Sequence, residues 1–473
     1  MFRVGKYKDK RLRKSTFGHF FLESGIVCAY NALKIITVYF PETLYSYIRA
    51  VEEKTIREVL REVPEGVQDE FVDVLTQICD AHIFIPEDYE ELGYLKKIKE
   101  KIFIAPAPRV MVLHVTDYCN LSCRYCFIEG NIGDGYKRQN MSQETMKKSI
   151  DKFKEVIKGK NFPQRPSIVF YGGEPLYNWN VIKYGLEYIS SLQELGILTS
   201  ELDKVLITNG TLVSQEIARE LERHNVLPAV SVDGPQEIHD ANRVYRNGMG
   251  SFEKTIQGFY TLREAGLKPT IASVLTENSI SRAEEIIHFF LDDLKVKALG
   301  FNHVSIVPNV STYNPVYEEQ VAESILKVQD IIQESYPDVY ERRMNRKINC
   351  FLDRHILRAD CTGCGEQMSI SPDGQIGICQ GYMGSRKTFA NSVFEDQYSP
   401  LEDPVFWEWS RRSPLNMEKC FSCSALSTCG GGCPRNADFI HGSIWKIDSA
   451  FCHFAQKAQE WMIWKKYQKI IGT

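Results

Sequence analysis

Between residues 110 and about 310 the sequence alternates short apolar runs with longer helical stretches, and this pattern constrains the fold more than any other feature. The runs are VMVLHVT (110–116), SIVFY (167–171), KVLIT (204–208), PAVSV (228–232), PTIASVL (269–275) and ALGFNHVSIV (298–307). Stretches such as SQETMKKSIDKFKEVIKG and SRAEEIIHFFLDDL lie between them. Apolar strands joined by helical crossovers pair in parallel. Six such units are too few for a closed eight-stranded barrel, and they predict an α/β fold built on an open, partial (β/α)6 TIM-like barrel. In barrels of this kind the reactive groups gather at the C-terminal ends of the strands.

The flanking segments differ in texture. Residues 1–104 hold three strand-like runs, GHFFLES, IVCAYNA and KIITVYF. Helical periodicity follows in ETLYSYIRAVEE, TIREVLREV and DEFVDVLTQICDAHIF. Three strands then three helices predict a winged-helix-like unit, closed by the linker APAPR (105–109). The basic start, MFRVGKYKDKRLRK, reads as a solvated tail. The barrel is expected over 105–330, and a loop-rich, cysteine-dense domain over 331–473, where SPDGQIGIC resembles a hairpin.

A net charge of −4 supplies no basic field for nucleic acid. The basic start lacks the apolar core and cleavage site of a secretion signal. The stretch GIVCAYNALKIITVYFP is broken by Asn31 and Lys34 and is short for a membrane span. These features predict a cytoplasmic protein with neither nucleic acid nor membrane as partner. Fourteen cysteines are then unusual, because in a reducing compartment they serve as metal ligands or catalytic groups. Cys28, Cys79 and Cys350 stand alone and read as small buried apolar residues. Three others lie at 119–126, and eight lie between 361 and 452.

Four polar or Gly-rich motifs follow successive strands. The first is Cys119-x3-Cys123-x2-Cys126, the second Gly172-Gly173-Glu174-Pro175, the third Asn209-Gly210-Thr211 and the fourth Asp233-Gly234-Pro235. Placed at strand ends, all four meet on one rim. Soft thiolates suit an iron–sulfur cluster or zinc. Three protein thiolates on a cubane cluster leave one iron open for a small ligand, as a catalytic zinc keeps one position open. The bland alternatives are a zinc completed by a distant His and an ordinary turn at Gly172–Pro175.

The CxxxCxxC motif after a first barrel strand, with Tyr125 before its last cysteine, resembles the radical S-adenosylmethionine (radical SAM) superfamily. The resemblance implies a [4Fe-4S] cluster on Cys119, Cys123 and Cys126 whose open iron chelates S-adenosylmethionine. Reductive cleavage of that cofactor then yields a 5′-deoxyadenosyl radical. It further implies that Gly172, Gly173 and Glu174 receive the methionine ammonium. Asn209, Ser231 and Arg243 fall where relatives contact the ribose or carboxylate.

The C-terminal third carries Cys420-x2-Cys423-x5-Cys429-x3-Cys433, then Cys452, with Cys361, Gly374 and Cys379 upstream. CxxC pairs alone suggest a zinc ribbon. The combined spacing resembles the SPASM extension of radical SAM enzymes that modify peptides or proteins. The resemblance implies two auxiliary [4Fe-4S] clusters, one on Cys361, Cys379 and Cys433, the other on Cys420, Cys423, Cys429 and Cys452. Cys364 is an additional thiol that could complete the first.

The N-terminal unit resembles the peptide-recognition element of enzymes that mature ribosomally made peptides (RiPPs), where a leader segment adds to a strand edge. An oxidoreductase-type peptide maturase is therefore expected. It would cross-link a precursor peptide through a thioether first and a carbon–carbon bond second, fed by a flavodoxin- or ferredoxin-type electron donor. The rival inside the superfamily is an anaerobic sulfatase-type maturase that oxidises Ser or Cys to formylglycine. Such enzymes carry an Asp as base after the second SPASM cysteine, where this chain has Gln380, which cannot take a proton. The rival from another class is a non-catalytic iron–sulfur or zinc scaffold.

Overall fold

The computed structural model describes residues 7–102, 105–132, 135–307 and 313–472. Five short strands lie in the first of these segments: β1 (Leu12–Lys14), β2 (Gly18–Glu23), β3 (Ile26–Asn31), β4 (Ile36–Pro41) and β5 (Phe84–Pro86). Strands β2, β3 and β4 form an antiparallel sheet. Ser24 and Gly25 both take positive φ, as a two-residue hairpin between twisted strands requires. The Asn31 side chain accepts the N–H groups of Leu33 and Lys34 and so turns the chain from β3 towards β4. The helices Tyr45–Ala50, Ile56–Glu62 and Gln68–Asp80 follow, the second opened by a capping box between Thr55 and Glu58.

Two expectations for this unit need correction. The basic start is not a free tail over its last residues, because β1 pairs with β5, Leu12 is buried, and Arg13 meets Glu91 at 3.0 Å. Residues 1–6 lie outside the described residues. The third helix stops at Asp80 rather than running to Phe84, since His82 takes positive φ and Phe84 enters β5.

The large sheet has ten strands, and its centre is six of them: β6 (Val110–Thr116), β7 (Ser167–Gly172), β8 (Asp203–Thr208), β9 (Val226–Ser231), β10 (Thr270–Leu275) and β11 (Ala298–His303). Each pairs in parallel with the next in chain order. The last run ends at His303, not 307, where the chain leaves the sheet and Val304 donates its N–H to the Tyr317 hydroxyl. Leu113, Ile168, Phe170, Leu206, Val230 and Ile271 pack in the main core with the crossover helices. Their neighbours Val169, Tyr171, Ile207, Ser231 and Val274 are only half-buried, which marks the opposite face of the sheet as the open one.

The C-terminal third is built onto the same sheet. Strand β12 (Tyr340–Glu341) adds beside β11, and β13 (Gln367–Ile370) pairs in parallel with β6, from Gln367 opposite Val110 to Ile370 opposite Leu113. Then β14 (Gln375–Gly377) and β15 (Phe389–Ser392) continue it antiparallel, so SPDGQIGIC is a hairpin turned at Gly374 (φ +85°). A long C-terminal helix, Ser449–Ile471, returns to the N-terminal sheet. Its Met462, Ile463 and Trp464 share an apolar cluster with Cys28, Tyr30 and Leu33. Cys79 and Cys350 are buried as well, as expected of isolated cysteines. Among the described residues no helix is long and apolar enough to cross a membrane.

Candidate active site

The four motif loops meet at the C-terminal end of the central strands and are bonded to one another. Gly173 and Glu174 donate their N–H groups to the carbonyls of Thr116 and Tyr118, each at 2.9 Å. A side chain on either glycine would collide with those carbonyls, and Gly172 also sits at φ +147°. The two glycines thus let the loop after β7 lie flush against the cysteine loop. The cysteine loop is held on its other side by the segment after β9, through Ser122 N–H to Val244 O (2.7 Å) and Arg124 N–H to Asn242 O (3.0 Å).

Glu174 is buried, and its carboxylate accepts three protein donors: Leu176 N–H at 3.1 Å, the Thr208 hydroxyl at 2.6 Å and Asn209 N–H at 2.7 Å. Burial pushes this carboxyl up to about 7, the three donors opposing it. Asn209 in turn bonds Asn120 of the cysteine loop at 2.9 Å and accepts both the N–H and the hydroxyl of Thr211. Ser231 ends β9 on the open face, and its hydroxyl makes no hydrogen bond among the described residues.

Arg243 lies behind Cys123. Its Nε is 3.0 Å from the buried carboxylate of Asp233, without in-line hydrogen-bond geometry. Its guanidinium sits over the Tyr125 ring at 5.4 Å, and Tyr125 donates its hydroxyl to the same Asp233 at 2.5 Å. Burial pushes the Cys119 thiol up to about 12 and Cys123 to about 11, Arg243 partly offsetting the rise at Cys123. Thiols in such surroundings stay protonated until a metal binds them.

The remaining motif cysteines fall into two sets. The Cys361 thiol lies within electrostatic reach of Cys364, Cys433 and Cys379, in that order. Cys420 is likewise within reach of Cys423 and Cys452, and so is Cys429. Cys364, the additional thiol, therefore sits with the first set and is fully buried there. Arg435 links this region to the cysteine loop. It bonds Gly381 O and Ile306 O and lies over the rings of Phe127 and Phe439. The Gln380 amide oxygen accepts an N–H of the Gln367 side chain at 2.7 Å.

All fourteen cysteines are free thiols. Among the described residues no three His, Cys, Asp or Glu side chains converge on a point where one ion would sit. Eleven thiols in sets of three, four and four are a soft donor set that suits iron–sulfur clusters and zinc alike. Sequence reasoning placed Tyr125 and Asp233 in the rim motifs without pairing them, and it missed Arg435 and Gln367 as parts of the site. It also missed His114, fully buried edge-on to Tyr171 at 5.3 Å, where burial holds the imidazole neutral, down to about 3.

A parallel sheet with a three-thiol loop after its first central strand, locked to the Gly-Gly-Glu loop of the next, defines the class. Residues 113–290 match the Radical SAM superfamily. The chain is 27% identical to the radical SAM cyclopropyl synthase TigE of Paramaledivibacter caminithermalis, over 77% of this chain and 76% of that protein. It is 25% identical to the cysteine-type anaerobic sulfatase-maturating enzyme of Clostridium perfringens, over 70% of this chain and 90% of the relative. The crystal structure of Streptococcus suis SuiB bound to its precursor peptide SuiA shares the fold with a TM-score of 0.54 at 17% identity. That match covers 93% of this chain and 99% of SuiB.

Proposed function

We propose that the protein is a radical SAM maturase that forms a new covalent bond within a ribosomally made precursor peptide. Cys119, Cys123 and Cys126 would hold the radical-generating [4Fe-4S] cluster. Cys361, Cys364, Cys379 and Cys433 would hold one auxiliary cluster, and Cys420, Cys423, Cys429 and Cys452 the other. When bound, the clusters and S-adenosylmethionine supply a 5′-deoxyadenosyl radical and an acceptor for the surplus electron.

The chain's own residues position that chemistry. Glu174 spends its carboxylate on Leu176, Thr208 and Asn209, so its part is to hold the rim while the Gly172–Gly173 backbone is left to meet the cofactor's ammonium. Ser231, with a free hydroxyl on the open face, is the better-placed polar contact. Arg243 is committed to Asp233 and Tyr125, and backs the Cys123 thiolate.

We assign residues 1–104 to leader recognition as a winged-helix-like unit, 105–330 to the partial barrel and 331–473 to a SPASM domain. A reduced flavodoxin or ferredoxin would be the electron donor. The observation that carries the reading is the mutual bonding of the four rim loops around the three-thiol loop. A scaffold that only stores metal has no use for it.

A thioether is the first product considered and a carbon–carbon bond the second, the latter supported by a relative named a cyclopropyl synthase. Gln380, engaged by Gln367 and unable to accept a proton, disfavours formylglycine formation. The test is anaerobic turnover of reconstituted protein with S-adenosylmethionine, dithionite and candidate precursor peptides. Expected are 5′-deoxyadenosine and a peptide lighter by two hydrogens. Loss of an alkylatable thiol marks a thioether, and an unchanged thiol count marks a carbon–carbon bond. A hydrazine-reactive aldehyde, or no 5′-deoxyadenosine, overturns the reading.

A further inference from the structure

Two buried hydrogen-bond donors beside the second set of four thiols have no acceptor. Tyr30, on β3 of the N-terminal unit, is fully buried, and its hydroxyl has no partner. Its phenol lies within electrostatic reach of Cys28, Cys423 and Tyr39. The apolar cluster that encloses it also includes Leu426, with Cys420 and Phe421 packed against it. Gln459, on the C-terminal helix, is fully buried as well. Its oxygen accepts the hydroxyl of Thr428, next to Cys429, at 2.6 Å, while its amide nitrogen is unpaired. Cys452, Gln456 and Gln459 lie on one face of that helix by their spacing, and Gln456 already donates to the Cys452 sulfur at 3.4 Å.

A buried donor without an acceptor costs about 1–3 kcal/mol, and native proteins rarely tolerate two at one place. Each orphan sits beside members of the four-cysteine set, Tyr30 in the cluster that Cys420 packs against and Gln459 on Thr428 next to Cys429, and each has a proton to give to an acceptor bound there. Sulfur atoms of an iron–sulfur cluster are acceptors, and hydrogen bonds to them favour the reduced, more negative state. Resting on the cluster assignment above, we propose that Tyr30 and Gln459 donate hydrogen bonds to sulfur atoms of the auxiliary cluster held by Cys420, Cys423, Cys429 and Cys452, and thereby set its reduction potential. One of the two donors comes from the unit assigned to peptide recognition. The electronics of this cluster therefore depend on how that unit is seated.

The experiment uses full-length holoprotein carrying Cys119→Ala, Cys123→Ala and Cys126→Ala, which removes the radical cluster's signal. The spectral component lost on further substitution of Cys429→Ala identifies the cluster in question. Iron and sulfide counts unchanged by that substitution would refute the cluster assignment itself. With the component identified, Tyr30→Phe and Gln459→Leu should each lower the reduced-to-oxidised ratio at fixed ambient potential by roughly threefold or more, and the double variant should lower it further. In the protein with both donors intact, transfer to D2O should introduce deuteron couplings on the reduced cluster that Tyr30→Phe diminishes, a readout that stands even if one variant folds poorly. An unchanged ratio in Tyr30→Phe at full iron content overturns the proposal. So does the absence of exchangeable couplings in the unsubstituted donors, which would leave a trapped water as the partner.

Discussion

The carboxylate of Glu174 accepts the backbone N–H of Asn209 at 2.7 Å, so one side chain joins the loop after β7 to the loop after β8. The same carboxylate takes the hydroxyl of Thr208 and the N–H of Leu176. A residue that the motif alone presents as a cofactor contact is, in the folded chain, a clamp between two strand ends.

Because burial raises this carboxyl from 4.5 to about 7, the folded state holds the proton more tightly than the unfolded chain. The group's contribution to stability is complete below about pH 4.5 and is lost as pH climbs through 7. Glu174→Gln should flatten that part of the thermal-stability profile. It should also cost about 1–3 kcal/mol, because an NH2 then faces a donor. Melting temperatures from pH 5 to 8 check both; parallel profiles for the two proteins would contradict the titration.

Asp233→Asn should destabilise the protein by about 3–5 kcal/mol, since it leaves the Arg243 guanidinium buried without its counter-charge. Tyr125→Phe, which removes a single hydrogen bond to the same carboxylate, should cost only about 1 kcal/mol. Denaturant unfolding ranks the two. Equal losses would mean that the pair is not the main interaction at Asp233.

Cys364→Ala should lower the iron content by up to about 4 atoms per chain, the complement of one cubane cluster. Where the cluster persists, its magnetic-resonance spectrum should change. Cys28→Ala, a substitution in the apolar cluster, should leave both unaltered. An iron count and spectrum insensitive to Cys364→Ala would remove that thiol from the ligand set.

Truncation to residue 105 should not yield a well-behaved remainder. It uncovers Leu415, Leu426, Met462, Ile463 and Trp464, which now pack against the N-terminal sheet and Leu95. Apolar patches of that kind drive association. Size-exclusion chromatography should show aggregates, and a monomeric, iron-loaded truncate would show that the two parts are independent.

The central strands were legible because each is a short run of apolar residues between helical segments, and the cysteine loop because its three thiols lie within eight residues. What stayed hidden depends on partners distant in sequence. SPDGQIGIC shows itself as a hairpin, but nothing local says that Gln367–Ile370 just before it pairs with Val110–Leu113, and so the C-terminal third appears separate when it shares the sheet. Likewise Leu12–Lys14 looks like a charged tail until Phe84–Pro86 supplies its partner. The Tyr125–Asp233 contact spans 108 positions and leaves no periodic trace. Cys361, Cys379 and Cys433 were grouped only through the SPASM resemblance, and it is the fold that puts Cys364 within reach of the same set.

The C-terminal helix carries Cys452 in its first turn, while further along its Ile463 carbonyl takes the Tyr39 hydroxyl and Lys466 reaches Thr37. From Cys452 to Lys466 is roughly 21 Å of stiff rod at 1.5 Å per residue. Rocking the small sheet by about 5° would sweep the thiol end by about 2 Å, comparable with a metal–sulfur bond length. If the proposed leader peptide docks on that sheet and Cys452 ligates iron as proposed, the peptide must be accommodated without leverage, or its arrival would wrench a ligand from its iron.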